Sequence, residues 1–157
     1  MRLTPVSPTD AVPAALLADY FAERAAGFPT PGGYRPATAD PAAFTPPDGV
    51  FLLLEDDDGT PLACGGLRTI APTGEGVRME VKHLYVVPAA RGRGHGRRLL
   101  DALESRARQA GARTLVLDTN RSLEAAGGLY RSAGFAPVEP FNDNPNATDW
   151  YGKPLRA

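Results

Sequence analysis

Cysteine and histidine are scarce in this chain, which has one cysteine and two histidines among 157 residues. Because Cys64 is alone, no disulfide can form within the chain and no cluster of cysteine ligands can hold zinc. His83 and His95 are too few for a histidine-rich metal site, so no metal is expected. The longest uninterrupted apolar run, residues 50–54, is far shorter than the roughly 20 residues that span a bilayer.

Net charge is also small, because 17 lysines and arginines face 18 aspartates and glutamates for a total of −1. Proteins that bind nucleic acid or anionic membranes are usually basic overall, so neither partner is expected. The amino-terminal residues MRLTPVSPTD contain no apolar signal segment. We therefore expect a soluble protein of the cytoplasm. A length of 157 residues predicts a single domain over residues 1–157.

The apolar pattern predicts seven strands and three helices, with strands and helices in mixed order. Asp-Gly between the second and third strands indicates a tight hairpin. The composition and order indicate an α/β or α+β fold, a mixed sheet with helices on its faces. The predicted strands cover residues 2–6, 50–55, 61–70, 77–87, 114–117, 135–138 and 149–153, and the helices residues 11–26, 94–110 and 123–133.

Two of the predicted helices carry an apolar stripe at helical spacing, which indicates the face that packs on the sheet. Gly27 and Gly111 are placed to end these helices. Between the first helix and the second strand, residues 28–47 are rich in proline and predict a loop, either a plain connector or a binding loop. The stripes consist of Leu16, Leu17, Tyr20, Phe21 and Ala25 in the first helix and of Leu99, Leu100, Leu103, Ala107 and Ala110 in the second.

Glycine and arginine are concentrated in residues 88–100, PAARGRGHGRRLL. Gly92, Gly94 and Gly96 alternate between a strand and an amphipathic helix, where they let the backbone turn sharply and approach a ligand closely. The helix N-terminus presents unpaired N–H groups and a positive dipole. With four arginines between positions 91 and 98, the segment predicts a pocket for a phosphate or a pyrophosphate.

Other phosphate ligands and other roles fit this segment less well. A nucleotide-binding P-loop needs Gly-Lys followed by Ser or Thr, which this segment lacks, and a dinucleotide fingerprint needs glycine where Arg97 stands. An RNA-binding patch would have aromatic residues between its basic ones, in a basic chain. A solvated, charged helix start is the remaining structural alternative.

Residues 91–96, RGRGHG, resemble the Arg/Gln-x-x-Gly-x-Gly/Ala signature of the GNAT superfamily of N-acetyltransferases. LYVVP at 84–88 and LYRSAGF at 129–135 match the family as well, and the resemblance covers about residues 51–135. It implies a mostly antiparallel sheet of six to seven strands flanked by helices. It also implies direct transfer of an acetyl group from acetyl-CoA, the co-substrate, to a primary amine of a small molecule or peptide.

The resemblance implies an acetyl-CoA site in which the backbone of residues 84–86 pairs with the pantetheine arm and the Val86 N–H polarises the thioester carbonyl. The sequence departs from the family pattern at two places. His95 stands where an aliphatic residue is usual, and Gly127-Gly128 lies within a helix, where close passage of the cofactor is one explanation for the glycines. The implied cofactor residues are Leu84, Tyr85, Val86, Arg91, Gly92, Arg93, Gly94, His95, Gly96, Arg97, Asn120 and Tyr130.

Two side chains are candidates for the proton transfers of this reaction. Tyr130 has a phenol that stays protonated at neutral pH, so it can act as the general acid for the leaving thiolate. Glu80, in the third long strand, is the candidate general base, directly or through water, and His83 is the alternative. Asn120 follows a strand and precedes the helix of Tyr130, where it can cap the helix, hydrogen-bond the pantetheine, or do both.

The acceptor side is expected to combine the proline-rich loop and the polar carboxyl-terminal segment. The substrate candidates are Phe28, Tyr34, Arg35 and Asp143; Arg35 suits a carboxylate. An acyl-CoA-binding or sensor module without catalysis is the alternative function on the same fold, and a nucleic-acid binder that uses the arginine cluster is the third hypothesis. A homodimer is left open.

Overall fold

The predicted strands assemble into one seven-stranded sheet in the computed structural model, which describes residues 1–156. The spatial order is β1-β2-β3-β4-β5-β7-β6. Only β4 and β5 are parallel, and every other neighbouring pair is antiparallel. The expected mixed, mostly antiparallel sheet is therefore confirmed. The strands are β1 Arg2–Pro5, β2 Gly49–Glu55, β3 Pro61–Thr73, β4 Gly76–Val86, β5 Thr114–Thr119, β6 Ala136–Pro137 and β7 Asp149–Pro154.

Three α-helices accompany the sheet: α1 Ala11–Ala26, α2 His95–Gln109 and α3 Glu124–Ser132. The bounds of α1 agree with the sequence prediction, and α2 ends before Gly111, whose φ of 81° only glycine adopts easily. Two predicted core positions are wrong, because Ala25 and Ala110 are exposed. Ala110 lies beyond the last turn of α2, so its orientation no longer follows the helix.

The core consists of two apolar clusters on the two faces of the sheet. Strand β2 contributes to both, because successive side chains of a strand point to opposite faces. Leu52 and Leu54 face the cluster beneath α2, whereas Phe51 and Leu53 face the cluster beneath α1. This double burial explains why residues 50–54 are continuously apolar. From the loop that precedes β2, Phe44 inserts into the second cluster.

A β-bulge in β4 lies next to the place where β4 and β5 part. Cys64 pairs with Tyr85 and Gly66 pairs with Lys82, so that Gly65 alone faces both His83 and Leu84. His83 has a φ of 58°, the left-handed region that non-glycine residues rarely adopt. The β4–β5 ladder includes only three residues of each strand, Arg78 to Glu80 of β4. Beyond Glu80 the two strands separate, which opens a gap at the centre of the sheet.

The segment 28–48 forms turns and irregular backbone, as the sequence predicts. Phe44 and Ala39 are buried and tie this loop to the sheet. Within residues 1–156, no helix combines the length and the hydropathy that crossing a bilayer requires.

Candidate active site

Two cavities meet where β4 and β5 separate. The larger, of about 460 Å³, borders the glycine-rich turn and is called the loop cavity. The smaller, of about 340 Å³, lies beneath α1 and several aromatic side chains, and is called the aromatic cavity. Both are lined by the same six residues at their junction, so a ligand in one can reach the other. These six are Tyr20, Arg24, Leu84, Leu123, Ala126 and Tyr130.

The glycine-rich turn has the backbone conformation that its sequence indicates. Gly92 and Gly94 have φ values of 76° and 82°, and a Cβ added to either would meet no atom within 4 Å. Gly94 is the N-cap of α2, and the first intrahelical bond runs from Arg98 N–H to the Gly94 carbonyl. The N–H groups of the preceding first turn therefore have no intrahelical acceptor and remain available to an anion.

Arg91 connects the glycine-rich turn to β4 and α1. Its Nε donates to the Val86 carbonyl at 2.9 Å, and its guanidinium pairs with Glu23 of α1 at 2.9 Å. The same guanidinium lies 5.6 Å from the centre of the Tyr85 ring. Arg97, in the first turn of α2, also lines the loop cavity and pairs with Asp101. With Arg24 at the junction, the loop cavity thus presents three arginines and a helix N-terminus.

Ten of the twelve expected cofactor residues line the loop cavity, and Arg93 and Asn120 do not. Asn120 is 3% exposed, and its amide is occupied within the protein. Its Nδ2 donates to the Asn146 carbonyl, and its Oδ1 accepts from the backbone N–H and the hydroxyl of Ser122. The N-cap of α3 is Leu123, so the capping role predicted for Asn120 is wrong.

Tyr130 lies on α3 at the junction of the two cavities and is 8% exposed. Burial raises the pKa of its phenol above the usual value of 10, so the hydroxyl holds its proton at neutral pH. Tyr20 of α1 lines the same junction, and burial raises the pKa of its phenol to about 12. The junction therefore offers protonated hydroxyls and no tyrosinate.

Glu80 is 1% exposed and does not line either cavity. Its Oε1 accepts hydrogen bonds from the Arg68 guanidinium at 2.7 and 2.8 Å, and its Oε2 lies 4.0 Å from Lys82 Nζ. Arg68 and Lys82 both line the aromatic cavity. The Glu80 carboxylate, the general base that the sequence analysis predicted, is thus paired with two cations that line the aromatic cavity and does not line that cavity itself.

The carboxylate that does line the aromatic cavity is Asp118 on β5, which the sequence analysis did not single out. It pairs with Lys82 at 3.2 Å and accepts hydrogen bonds from the side-chain amides of Asn142 and Asn144. The Trp150 indole donates to Asn142. The polar carboxyl-terminal segment therefore contributes a hydrogen-bonded wall, whose only sequence signal is the density of asparagines.

His83 lines the aromatic cavity at the bulge. Its ring lies 5.5 to 6.1 Å from the centres of the Tyr20, Phe21 and Phe44 rings. Burial, together with the positive charges of Lys82 and Arg68, lowers the pKa of His83 to about 4. The imidazole is therefore neutral at physiological pH.

Of the four predicted substrate residues, only Tyr34 lines a cavity. The centre of the Phe28 ring lies 5.7 Å from that of the Tyr34 ring, but Phe28 lines neither cavity. Arg35 has an exposed side chain, and its backbone is held by two hydrogen bonds with the Asn146 amide. Asp143 is exposed and lines neither cavity. A loop residue's orientation depends on such distant contacts, which spacing along the chain does not encode.

The sequence analysis also missed Arg24, which is 8% exposed and lines both cavities. It follows Leu17 by seven residues and Tyr20 by four, so it continues the buried stripe of α1 in place of the predicted Ala25. An arginine at an apolar-stripe position is the sequence signal that could have identified it.

The glycine pair Gly127-Gly128 lines neither cavity. A Cβ at Gly127 would lie 3.0 Å from the end of the Arg131 side chain, and one at Gly128 would meet nothing within 4 Å. The explanation by a closely passing cofactor is thus not supported, and nothing else in the structure explains this pair.

Comparisons with known proteins agree with this architecture. The model of the acetyltransferase (GNAT) family matches residues 14–135. The chain is 36% identical over 102 residues to an uncharacterized N-acetyltransferase of Schizosaccharomyces pombe, an alignment that covers 65% of this chain and 61% of that protein. It is 41% identical over 95 residues to an IAA acetyltransferase of Azospirillum brasilense, an alignment that covers 60% of each protein. The chain thus spans about three-fifths of the length of these curated relatives.

A candidate acyl-CoA N-acyltransferase of Klebsiella pneumoniae has the same fold in its crystal structure. The superposition has a TM-score of 0.75 with 28% sequence identity, and it covers 99% of this chain and 97% of that one. The family match spans the glycine-rich turn, the bulged strand β4 and the helix of Tyr130. On this evidence, the chain belongs to the acetyltransferase (GNAT) family.

Proposed function

We propose that this protein transfers an acetyl group from acetyl-CoA directly to a primary amine of a small molecule or peptide. The observation that carries the proposal is the meeting of two cavities at a buried, protonated tyrosine. The loop cavity has the features of an anion site, and the aromatic cavity opens from it at Tyr130. The relatives named N-acetyltransferase and IAA acetyltransferase support the same reaction class.

The residues around the loop cavity fit coenzyme A. Free N–H groups at the start of α2, together with Arg91 and Arg97, suit a diphosphate, and the glycines at 92 and 94 leave open space where side chains would project. When bound, acetyl-CoA supplies an acetyl group activated as a thioester. The backbone of β4 beyond Glu80 has no partner on the β5 side and is available to the pantetheine arm.

The Val86 N–H suits the role of polarising the thioester carbonyl. The Val87 N–H donates to the Leu62 carbonyl of β3, which makes residues 62 and 87 a hydrogen-bonded pair. Antiparallel ladders alternate such pairs with non-bonded ones, so Val86 directs its N–H away from β3 and into the gap. A fixed N–H donor in a dry cleft stabilises developing negative charge without reorganisation.

Proton transfer is assigned to Tyr130 and Glu80. Tyr130 keeps its hydroxyl proton at neutral pH and can donate it to the leaving thiolate. Glu80 is the general base of the proposal, acting on the acceptor amine through water, because its carboxylate lies behind Arg68 and Lys82. Direct contact between Glu80 and an acceptor is not part of the proposal.

Calorimetry with acetyl-CoA tests the cofactor site with a matched pair of variants. Gly94 and Gly111 lie just before and just after α2, have φ values of 82° and 81°, and leave a Cβ in open space. Asp tolerates this conformation better than most residues. We expect Gly94→Asp to raise the Kd at least tenfold by placing a carboxylate at the anion site, and Gly111→Asp to leave it unchanged. Equal effects of the two substitutions, or no binding of acetyl-CoA below millimolar concentration, contradict the proposal.

Release of the CoA thiol in the presence of a panel of amines separates catalysis from binding alone. Thiol release that depends on an amine supports acetyl transfer. Tight binding of acetyl-CoA without thiol release from any amine would identify an acyl-CoA-binding module on the same fold.

A further inference from the structure

Three cations line the aromatic cavity, and two of them are neutralised by buried carboxylates. Arg68 pairs with Glu80 at 2.7 Å, and Lys82 pairs with Asp118 at 3.2 Å. Arg24, the third, has no carboxylate within 4.0 Å among residues 1–156. The positive charge that is left over in this cavity therefore belongs to Arg24.

The surroundings of Arg24 orient the guanidinium without neutralising it. Its central carbon lies 6.0 Å from the centre of the Phe28 ring and 5.3 Å from that of Tyr34. The Tyr20 hydroxyl, which stays protonated, lies beside it. Stacking on aromatic rings stabilises a cation by only about 0.5–2 kcal/mol. A charge in a largely buried residue is costly unless an opposite charge approaches it. Arg24 is 8% exposed, lines both cavities and has no carboxylate partner among residues 1–156, so its guanidinium is suited to an anionic ligand.

The position of Arg24 assigns this anion to the aromatic cavity. Arg24 lies at the junction and lines both cavities, but the loop cavity has in addition Arg91, Arg97 and the N-terminus of α2 for its anion. Arg91 and Arg97 are paired with the exposed carboxylates of Glu23 and Asp101, so these pairs are screened by solvent. Arg24 packs against Tyr34, a residue that lines the aromatic cavity and not the loop cavity. A guanidinium fork binds a carboxylate through two parallel hydrogen bonds, which fixes orientation as well as charge.

We propose that the acetyl acceptor carries a carboxylate as well as its amine, and that Arg24 binds this carboxylate in the aromatic cavity. The acceptor class is therefore small amino acids, a conclusion that rests on the proposed function and narrows it. A cavity of about 340 Å³ is near the lower limit for small-molecule sites and suits a single amino acid better than a peptide. Tyr20, Phe21 and Tyr34 offer contacts to an apolar side chain, beside the polar wall that Asp118 and the asparagines form.

The test compares each acceptor with its carboxamide, which keeps the amine and the side chain and removes the negative charge. Suitable probes are L-phenylalanine, L-methionine and L-leucine and their carboxamides, assayed by CoA thiol release. The amine of a carboxamide loses its proton more readily, so intrinsic reactivity favours the amides. We expect the free amino acids to have the higher kcat/KM, with at least one of them acetylated.

Variants of Arg24 connect this preference to the guanidinium. We expect Arg24→Met to lower kcat/KM for the free amino acids about 30-fold or more, mainly through KM, and to leave the amides within about threefold. Arg24→Lys keeps the charge without the fork, and an intermediate loss is expected. Arg106→Met, on the exposed face of α2 and outside both cavities, is the matched control and leaves both classes unchanged. Circular dichroism melting confirms that each variant is folded.

Binding measurements keep this inference separate from the proposed function. Calorimetry of the CoA-saturated protein with the same probes does not require turnover. We expect the amino acids to bind more tightly than their amides, and we expect this preference to be lost in Arg24→Met. Amine-dependent thiol release with amides equal to or better than amino acids overturns the carboxylate site and leaves the proposed function standing. If no probe reacts, equal binding of the two classes overturns the inference, and acid-selective binding that depends on Arg24 supports it.

Discussion

The Arg68 guanidinium lies 2.7 Å from a Glu80 carboxylate that is almost completely buried, on neighbouring strands of the sheet. The two residues are directly opposite each other in the β3–β4 register, next to the point where β4 leaves β5. The Arg68–Glu80 pair thus connects β3 and β4 at the end of the β4–β5 ladder, where the gap in the sheet begins. A carboxylate in this position has a structural role whether or not it also moves a proton.

The Arg68–Glu80 pair is expected to stabilise the fold more than an exposed pair does. Removing one partner of a buried pair costs a few kcal/mol, and the partial exposure of Arg68 reduces this, so we expect Glu80→Gln to destabilise the protein by about 2 kcal/mol. A double-mutant cycle with Arg68→Met, measured by urea unfolding, should give a coupling of roughly 1–2 kcal/mol. The half-exposed pair Arg97–Asp101 is the control, with about 0.3–0.5 kcal/mol.

Turnover of the folded variant distinguishes this structural role from base catalysis. If Glu80 accepts the proton of the amine through water, Glu80→Gln loses a factor of about 10² or more in kcat at a temperature where the variant is fully folded. A variant that is less stable but keeps its kcat would show that Glu80 has a structural role alone.

Replacing Tyr130 with Phe is expected to lower kcat by a factor of about 10² or more, because the general acid is lost. The Kd for acetyl-CoA should stay within about twofold, since the ring remains in place. Because burial holds the phenol pKa above 10, no alkaline limb from Tyr130 is expected below that pH. Tyr151→Phe is the matched control: this buried tyrosine packs on Tyr130 but lines neither cavity. A turnover equal to that of the unmodified protein in Tyr130→Phe would exclude the acid role.

His83 makes the fold sensitive to mild acid. Its pKa is about 4 in the folded protein and about 6.5 in an unfolded chain. Between pH 6.5 and pH 4, His83 is therefore protonated in the unfolded state and neutral in the native state. The free energy of unfolding consequently decreases as the pH falls from 6.5 towards 4. The loss from this residue is up to about 3 kcal/mol.

We expect His83→Asn to flatten this dependence, because asparagine does not titrate and tolerates the φ of 58°. The comparison is between slopes of the free energy of unfolding from pH 7 to pH 4.5, not between absolute stabilities, since aromatic packing is also lost. Parallel slopes in the two proteins would assign the acid sensitivity to other groups.

Gly128 offers a stabilising substitution. It lies inside α3, where glycine costs about 1 kcal/mol relative to alanine, and a Cβ there meets nothing within 4 Å. We expect Gly128→Ala to raise the free energy of unfolding by about 0.5–1 kcal/mol in urea titrations. Gly134→Ala, just beyond the helix at a φ of 92°, should lower it by a similar amount. A lower free energy of unfolding in Gly128→Ala would contradict this expectation. The affinity for acetyl-CoA should then be measured, to test whether the space beside Gly128 is needed for the cofactor.

The loop cavity was largely predictable because local rules govern it. Gly92 and Gly94 are needed for backbone conformations that other residues resist, and the N-terminus of a helix attracts anions whatever the fold. Its neighbours follow along the chain from Leu84 to Arg97, so a short segment carries most of its residues. Asn120 was predicted as a cofactor residue but does not line this cavity, because its side-chain amide donates to the carbonyl of Asn146, 26 residues away.

The aromatic cavity was not predictable in this way, because its walls come from three strands, two helices and two distant loops. The strands are β3, β4 and β5, and the helices are α1 and α3. Arg35 and Asp143 have suitable chemistry but point away from it, whereas Arg24 and Asp118 line it without a motif to mark them. Pairing between residues far apart in the chain determines which charges remain uncompensated, and one sequence does not record such pairing.

The scarcity of cysteine and histidine excluded a disulfide within the chain and a cysteine or histidine metal cluster, because the ligands are absent. Apolar periodicity and glycine placement further determined the elements, the mixed sheet and the anion-binding turn. Tertiary structure alone decided that Glu80 is paired with cations and that His83 occupies a bulge among aromatic rings. It also decided that Arg24 lines a cavity with no carboxylate partner among the described residues 1–156. The physical reason is that burial and charge pairing depend on three-dimensional neighbours, whereas helix and turn preferences depend on neighbours along the chain.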